Sequence, residues 1–262
     1  MQIFVGSSSV NSRPACICET LPIILKDKKN SMTSLRIKNI FRPILISMLI
    51  LVTNISFGQN EKIEIKFLGN CGLFMTDGNL NIYVDFPYKS GAYGYMTYKP
   101  EILDSLHANS IFLFTHGHAD HYNRKLLKKT NQKLYGPWPL KFLMSKKRKY
   151  QLDKLNDSLT NFSITEYKTK HGYSFKHFSY LIEWNEKRIF ISGDAHLSDT
   201  LVSVKNLDLV FAAPWVLNDA WERKLKIDSK EIILYHHRSV ESINNKSDKI
   251  IVPRQNQEFE LK

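Results

Sequence analysis

The sequence predicts an α/β fold in which helices cover the faces of sheets. Two observations carry this. Strand-like segments come in runs with helical patterns between them, the signature of layered α/β architectures. In addition, an apolar strand ends in polar, metal-competent residues three times: "FLFT" before His116, "IFIS" before Gly193-Asp194 and "IILY" before His236. A sheet that delivers side chains at its strand ends holds them rigidly and leaves one side open to a substrate.

In chain order, "KIEIKFL" (62–68) is the first strand. "GLFMT" (72–76) and "LNIYVDF" (80–86) follow, joined by the turn signal Asp77-Gly78-Asn79. A Gly- and Tyr-rich loop covers 90–100, and a short helix is expected at Glu101–His107. "SIFLFT" (110–115) reads as a buried strand that stops just before His116. Helical patterns run over Tyr122–Lys129 and from Pro139 to Leu155. Strands resume with "FSITEYK" (162–168), "FSYLIEW" (178–184) and "KRIFIS" (187–192), the last two forming a hairpin about Asn185-Glu186. "LDLVFAA" (207–213) and "EIILYHH" (231–237) are two more apolar strands, with helical material around them.

The first 58 residues read differently. Arg36, Lys38 and Arg42 precede the apolar run "PILISMLILVTNISF", and Ser56 and Gly58 are small residues suited to cleavage after Gly58. That is the pattern of a secretory signal peptide over 32–58, and its apolar run is short for a membrane span. Residues 1–31 have no periodicity and read as an over-extended, disordered start with Met32 as initiator. The expected domain is 59–262, exported to the periplasm or beyond, with no stable membrane anchor after cleavage. Of the three cysteines only Cys71 falls within it, so no intrachain disulfide forms there. Cys71 itself reads as a small buried residue.

The formal charge is +12 for the whole chain. Residues 1–58 hold seven Lys/Arg and two Asp/Glu, which leaves about +7 on 59–262. Part of this is "KKRK" (146–149), read as the solvated face of the Pro139–Leu155 helix rather than a nucleic-acid patch.

The stretch "FTHGHADHYN" (114–123) concentrates the chemistry. Three of the nine histidines and an aspartate lie between His116 and His121. Histidine and carboxylate donors suit zinc and similar divalent ions, and a site without cysteines is more often catalytic than structural. His116 and His118, two apart, can point to one side, while Asp120 and His121 can face a second point nearby. Four donors in six residues exceed what one compact site takes from so short a segment. The spacing therefore favours two adjacent metals.

"THGHADH" resembles the HxHxDH signature of the metallo-β-lactamase superfamily. Order elsewhere agrees: "FLGNCGLFMTDGNLNIYVDF", ending near Asp85, is similar to the family's opening strands. "HGYSFKHFSYLIEWNEKRIFISGDAH" is similar to its central block, and "EIILYHH" to the late strand that supplies its last histidine. The resemblance implies an αββα sandwich with a dimetal site at one edge of the sheets. By position, His116 and His118 would bind the first metal with a histidine of the central block. Asp120 and His121 would bind the second with a late histidine, and Asp194 would bridge both. In the central block His171 lies where the family's ligand usually does, and His177 is the alternative, or a packing residue. In the late pair, strand alternation puts His236 and His237 on opposite faces, so one of them reaches the metals; His236 is preferred. His196, two after Asp194, either lines the pocket or lies on the surface.

The chemistry so implied is hydrolysis of an ester, lactone, amide or phosphodiester in a small molecule. It would use a hydroxide bridging two divalent ions, zinc first, with manganese or iron fitting the same donors. Asp120 would orient this nucleophile as well as bind metal. Tyr88–Tyr98, Trp215 and Trp221 are candidate pocket walls. Two other readings are a non-catalytic metal-binding protein, disfavoured by the full ligand set, and a nuclease, disfavoured by the lack of room for a recognition insertion.

Overall fold

The structure, a computed structural model, describes residues 62–130, 132–141, 149–238 and 247–261. The expected leader, the segment before it, and Cys16 and Cys18 lie outside the described residues.

Two six-stranded mixed sheets build the domain. The first contains β1 (Ile63–Gly69), β2 (Gly72–Thr76), β3 (Asn81–Val84), β4 (Ile111–Leu113), β5 (Lys133–Tyr135) and β12 (Glu258–Leu261), in spatial order β12-β1-β2-β3-β4-β5. The second contains β6 (Phe162–Thr169), β7 (His177–Trp184), β8 (Lys187–Ile191), β9 (Leu207–Ala212), β10 (Ser229–Leu234) and β11 (Ile250–Ile251), in order β11-β10-β9-β8-β7-β6. Among the described residues five helices join them: α1 (Arg124–Thr130), α2 (Trp138–Lys141), α3 (Leu152–Ser158), α4 (Asp199–Ser203) and α5 (Pro214–Glu222).

Strand alternation explains the layering. Successive side chains point to opposite faces. Ile82, Val84, Ile111 and Leu113 enter the large apolar core that also contains Ile182, Ile189, Phe211 and Ile233 of the second sheet. Their neighbours Tyr83 and Phe112 point the other way and pack with Leu127 of α1 and Leu140 of α2. The first sheet is therefore covered on both faces. Val216 and Leu217 of α5 and Leu201 of α4 join the large core. This is the α/β sandwich expected from the strand and helix order.

Strand direction collects the chemistry at one edge. β1 and β3 each run antiparallel to β2, and β4 runs parallel to β3. The carboxyl ends of β1, β3 and β4 thus lie together. In the second sheet β6 and β8 each oppose β7, and β9 and β10 run parallel to β8. Asn70-Cys71, Asp85, His116, His171, Asp194 and His236 each follow one of these carboxyl ends.

Some local expectations need correction. The region read as one helix from Pro139 to Leu155 contains α2 and α3, and Lys149 is extended, bridging Leu134 of β5. The rest of the basic run, 146–148, lies outside the described residues. The helix expected at Glu101–His107 is a 3-10 turn over Pro100–Ser105. Strands β5, β11 and β12 had no expectation. β12 is an edge strand whose "EFEL" pairs antiparallel with β1.

Candidate metal centre

His116, His118 and His171 form one donor cluster. Each offers a ring nitrogen, and the three atoms lie within 4.8 Å of one another. His118 Nδ1 and His171 Nε2 are 3.1 Å apart. The other nitrogen of His118 faces the Tyr173 carbonyl at 3.4 Å, which leaves Nδ1 for the cluster. His121, Asp194, His236 and Cys71 form a second cluster by the same measure. Asp120 adjoins it, with Oδ2 3.2 Å from His236 Nε2 and 3.8 Å from His121 Nε2.

Asp194 lies between the two. Its Oδ1 is 3.2 Å from His121 Nε2, and its Oδ2 is 3.2 Å from His236 Nε2. The same Oδ2 is 3.7 Å from His171 Nε2 and 3.8 Å from His116 Nε2. These short approaches are not hydrogen bonds: the Nε2 atoms of His116, His121 and His236, and Asp120 Oδ1, are buried without a hydrogen-bond partner. Buried polar atoms left unpaired cost free energy. Several aimed at one small volume, on imidazoles and carboxylates, fit divalent cations.

The surrounding shell fixes how the rings present themselves. Asp85 is fully buried; its Oδ1 accepts the Thr115 amide at 2.7 Å and its Oδ2 accepts the Thr115 hydroxyl at 2.7 Å. The same Oδ2 is 2.8 Å from His121 Nδ1. With its single proton given to Asp85, Thr115 Oγ1 can accept from His116 Nδ1 at 3.1 Å. In both rings Nδ1 is the nitrogen held by this shell and Nε2 the one turned inward, the arrangement that orients metal-binding histidines.

Charge is dense here. Burial opposes ionisation of Asp194, but His121 and His236 beside it hold its carboxyl well below the usual range. Burial likewise opposes the charge on His236, yet Asp194 and Asp120 push it up to about 9. Burial and the neighbouring His121 hold His116 well below its ordinary value. Burial, then Asp194, Asp85 and Asp120, push the Cys71 thiol well up. A cation held between these groups would replace the protons they compete for.

The remaining sequence-flagged histidines stand outside the clusters. His177 is buried; its Nε2 accepts the Asp194 amide at 2.8 Å and its Nδ1 meets Thr169 Oγ1 at 2.6 Å. His237 turns away, its Nε2 3.1 Å from the Pro253 carbonyl and its ring over Phe67. His196 is exposed and uses its backbone amide on Lys170. Of the suggested pocket walls, Tyr95 packs edge-on against His236 with ring centroids 4.4 Å apart, and Trp215 does so at 4.9 Å. Burial, then Asp120 and Asp194, push the Tyr95 hydroxyl up to about 12. Tyr88 and Tyr98 belong instead to the packing around Phe86, and Trp221 is exposed.

Two residues carry more than the sequence reading gave them. Asp85 appeared there only as the end of a strand. Cys71, read as a small buried residue, is buried but has its Sγ 4.0 Å from Asp194 Oδ1. The available signal was that both follow strands whose direction brings them to the edge where His116 lies.

A family model described as the metallo-beta-lactamase superfamily matches residues 112–237. No curated protein sequence matches significantly. Among solved structures, the chain is similar to Igni18, a metallo hydrolase from Ignicoccus hospitalis (11% identity, 77% of this chain and 99% of that one, TM-score 0.54). It is similar to an isothiocyanate hydrolase from Delia radicum gut bacteria (14% identity, 75% and 98%, TM-score 0.54). It is also similar to YhfI, a metallo-beta-lactamase fold protein from Bacillus subtilis (14% identity, 76% and 99%, TM-score 0.52). At these identities the structural likeness speaks for the fold, and the matched segment contains the signature histidines, His171, Asp194 and His236. Over residues 112–237 the chain matches the metallo-beta-lactamase superfamily, and its fold is that of metallo-beta-lactamase fold proteins.

Proposed function

We propose that the protein is a metal-dependent hydrolase acting on an ester, lactone, amide or phosphodiester bond of a small molecule, with two divalent ions, zinc foremost. The observation that carries this reading is Asp194: one buried carboxylate within 3.8 Å of ring nitrogens from both donor clusters. His116, His118 and His171 would hold one ion; Asp120, His121 and His236 would hold the other; Asp194 would touch both. Ions so held polarise a carbonyl or phosphoryl oxygen and lower the pKa of water.

The chain's own groups do the rest. Asp120 gives Oδ2 to the His236 side and keeps Oδ1 unpaired, placed to orient water and take its proton. Tyr95 keeps its hydroxyl proton at neutral pH and, with Trp215, walls the His236 side. Beside His118, a recess of about 150 Å³ is lined by Pro137, Leu140, Tyr173 and Phe175. Tyr173 and Phe175 are almost fully exposed on the loop that follows His171. Among the described residues this apolar rim carries one lysine, Lys176, and it suits a small, partly apolar substrate rather than a polyanion. Two larger clefts of 580 and 800 Å³ contain none of the candidate ligands.

The test is a panel of ester, lactone, phosphodiester and β-lactam substrates offered to the metal-loaded protein. Turnover of one class that stops with chelation supports the reading; no turnover of any class by fully loaded protein favours a non-catalytic metal protein. The leader-like segment 32–58 leads us to propose export, which N-terminal sequencing of the secreted fraction tests by a start at Gln59.

A further inference from the structure

We propose that Cys71 is a thiolate ligand of the ion held by His121 and His236, a sulfur donor added to an otherwise nitrogen and oxygen centre. This rests on the metal-site reading above. The Cys71 sulfur, one nitrogen each of His121 and His236, and an oxygen of Asp194 all lie within 4.8 Å of one another. Donors bound to one ion at about 2.0–2.3 Å lie close together in this way, and with Asp120 the sulfur makes a fifth donor, a number that catalytic zinc accepts. The Nε2 atoms of His121 and His236 are both buried, and neither makes a hydrogen bond. They face the same point as the sulfur.

The backbone leaves Cys71 little freedom to be elsewhere. It follows Asn70, a left-handed residue with φ 53° at the end of β1. The Asn70 carbonyl accepts the His236 amide at 2.8 Å. Asn70 Nδ2 donates to the Asp120 carbonyl at 3.4 Å, and its Oδ1 accepts the Met96 amide at 2.9 Å. One residue thus ties the β1–β2 turn to two of the three loops that carry the other ligands of this cluster, those of His121 and His236. The Cys71 thiol donates to Asp194 Oδ1 at 4.0 Å, so its sulfur already sits against the carboxylate that belongs to both clusters. On binding, the Cys71 sulfur releases its proton to solvent and forms one bond to the cation.

Zinc K-edge X-ray absorption of the zinc-loaded full chain tests this, in a Cys16→Ala, Cys18→Ala background so that Cys71 is the only thiol. The expected result is a sulfur shell at about 2.3 Å beside nitrogen and oxygen at about 2.0–2.1 Å, amounting to half a sulfur per zinc. Further replacement Cys71→Ser should remove that shell completely. Bound zinc with only nitrogen and oxygen neighbours in the Cys71 protein overturns the thiolate and leaves the metal site standing. A sulfur shell that survives Cys71→Ser also overturns it. Zinc content below one per chain overturns the metal site and the thiolate together. Because the Cys71 protein is itself decisive, misfolding of the serine variant does not protect the proposal.

Discussion

His177 Nε2 accepts the backbone amide of Asp194 at 2.8 Å. The contact joins β7 to the loop after β8 and sets where the Asp194 carboxylate stands. Gly193, just before it, has φ +54°, and a Cβ there would lie 2.5 Å from His177 Nε2 and 2.9 Å from Thr115 Cβ. The absence of a side chain at Gly193 lets the histidine reach the amide.

Gly193→Ala is therefore expected to combine left-handed strain with a steric conflict, destabilising the fold by about 2 kcal/mol or more. Thermal unfolding with and without metal checks this. The gap between the two melting temperatures should also shrink, because a displaced Asp194 binds metal less well. An unchanged gap would assign Gly193 a purely local role.

His177 should also shape the acid limb of stability. Burial pushes its pKa down from 6.5 to about 3, so the folded protein refuses a proton that the unfolded chain accepts. The stability it contributes is complete above 6.5 and drains away as pH falls from there towards 3. His177→Gln can keep an acceptor for the Asp194 amide and cannot titrate. In the chelated protein, the difference in unfolding free energy between wild type and variant should change across that window and be flat above it. A difference independent of pH would contradict the buried neutral imidazole.

Asp85→Asn should act at a distance through His121. The amide can place a donor where Asp85 Oδ2 now faces His121 Nδ1 at 2.8 Å. That favours the tautomer with its proton on Nε2, pointing at the metal position. Affinity for the second ion should fall about 10–100-fold, with the first ion little affected, as read by competitive metal titration.

His118→Ala removes a donor of the first cluster without opening the core, since its side chain is partly exposed. Hydrolysis of whichever panel substrate is turned over should fall by more than about 100-fold, beyond the usual effect of removing an outer partner of a ligand. Full activity in this variant would reject the proposed use of the cluster.

How much of this was legible depended on where each donor lies. His116, His118, Asp120 and His121 share one segment behind a buried strand, so spacing alone brings them close. Asp194 and His236 were visible as polar residues ending apolar strands. His171 and His177 are harder to separate, because one sits in a loop and the other opens β7, and period-two alternation says nothing about the loop. The structure parts them through Thr169 and the Asp194 amide. His236 has φ 59°, so the strand pattern stops there, yet His237 does turn to the other side. Cys71 and Asp85 needed the strand order: only with β1, β3 and β4 pointing the same way do their ends meet His116. The Pro139–Leu155 helix failed because the pairing of Lys149 with Leu134 of β5 outweighed local helical preference.

The central claim is that two donor clusters sharing Asp194 hold two ions. The most direct measurement is elemental analysis of the purified full chain after metal loading and desalting. The expected result is two divalent ions per chain, falling towards one in Asp120→Ala. A wild-type value below one ion per chain would contradict it.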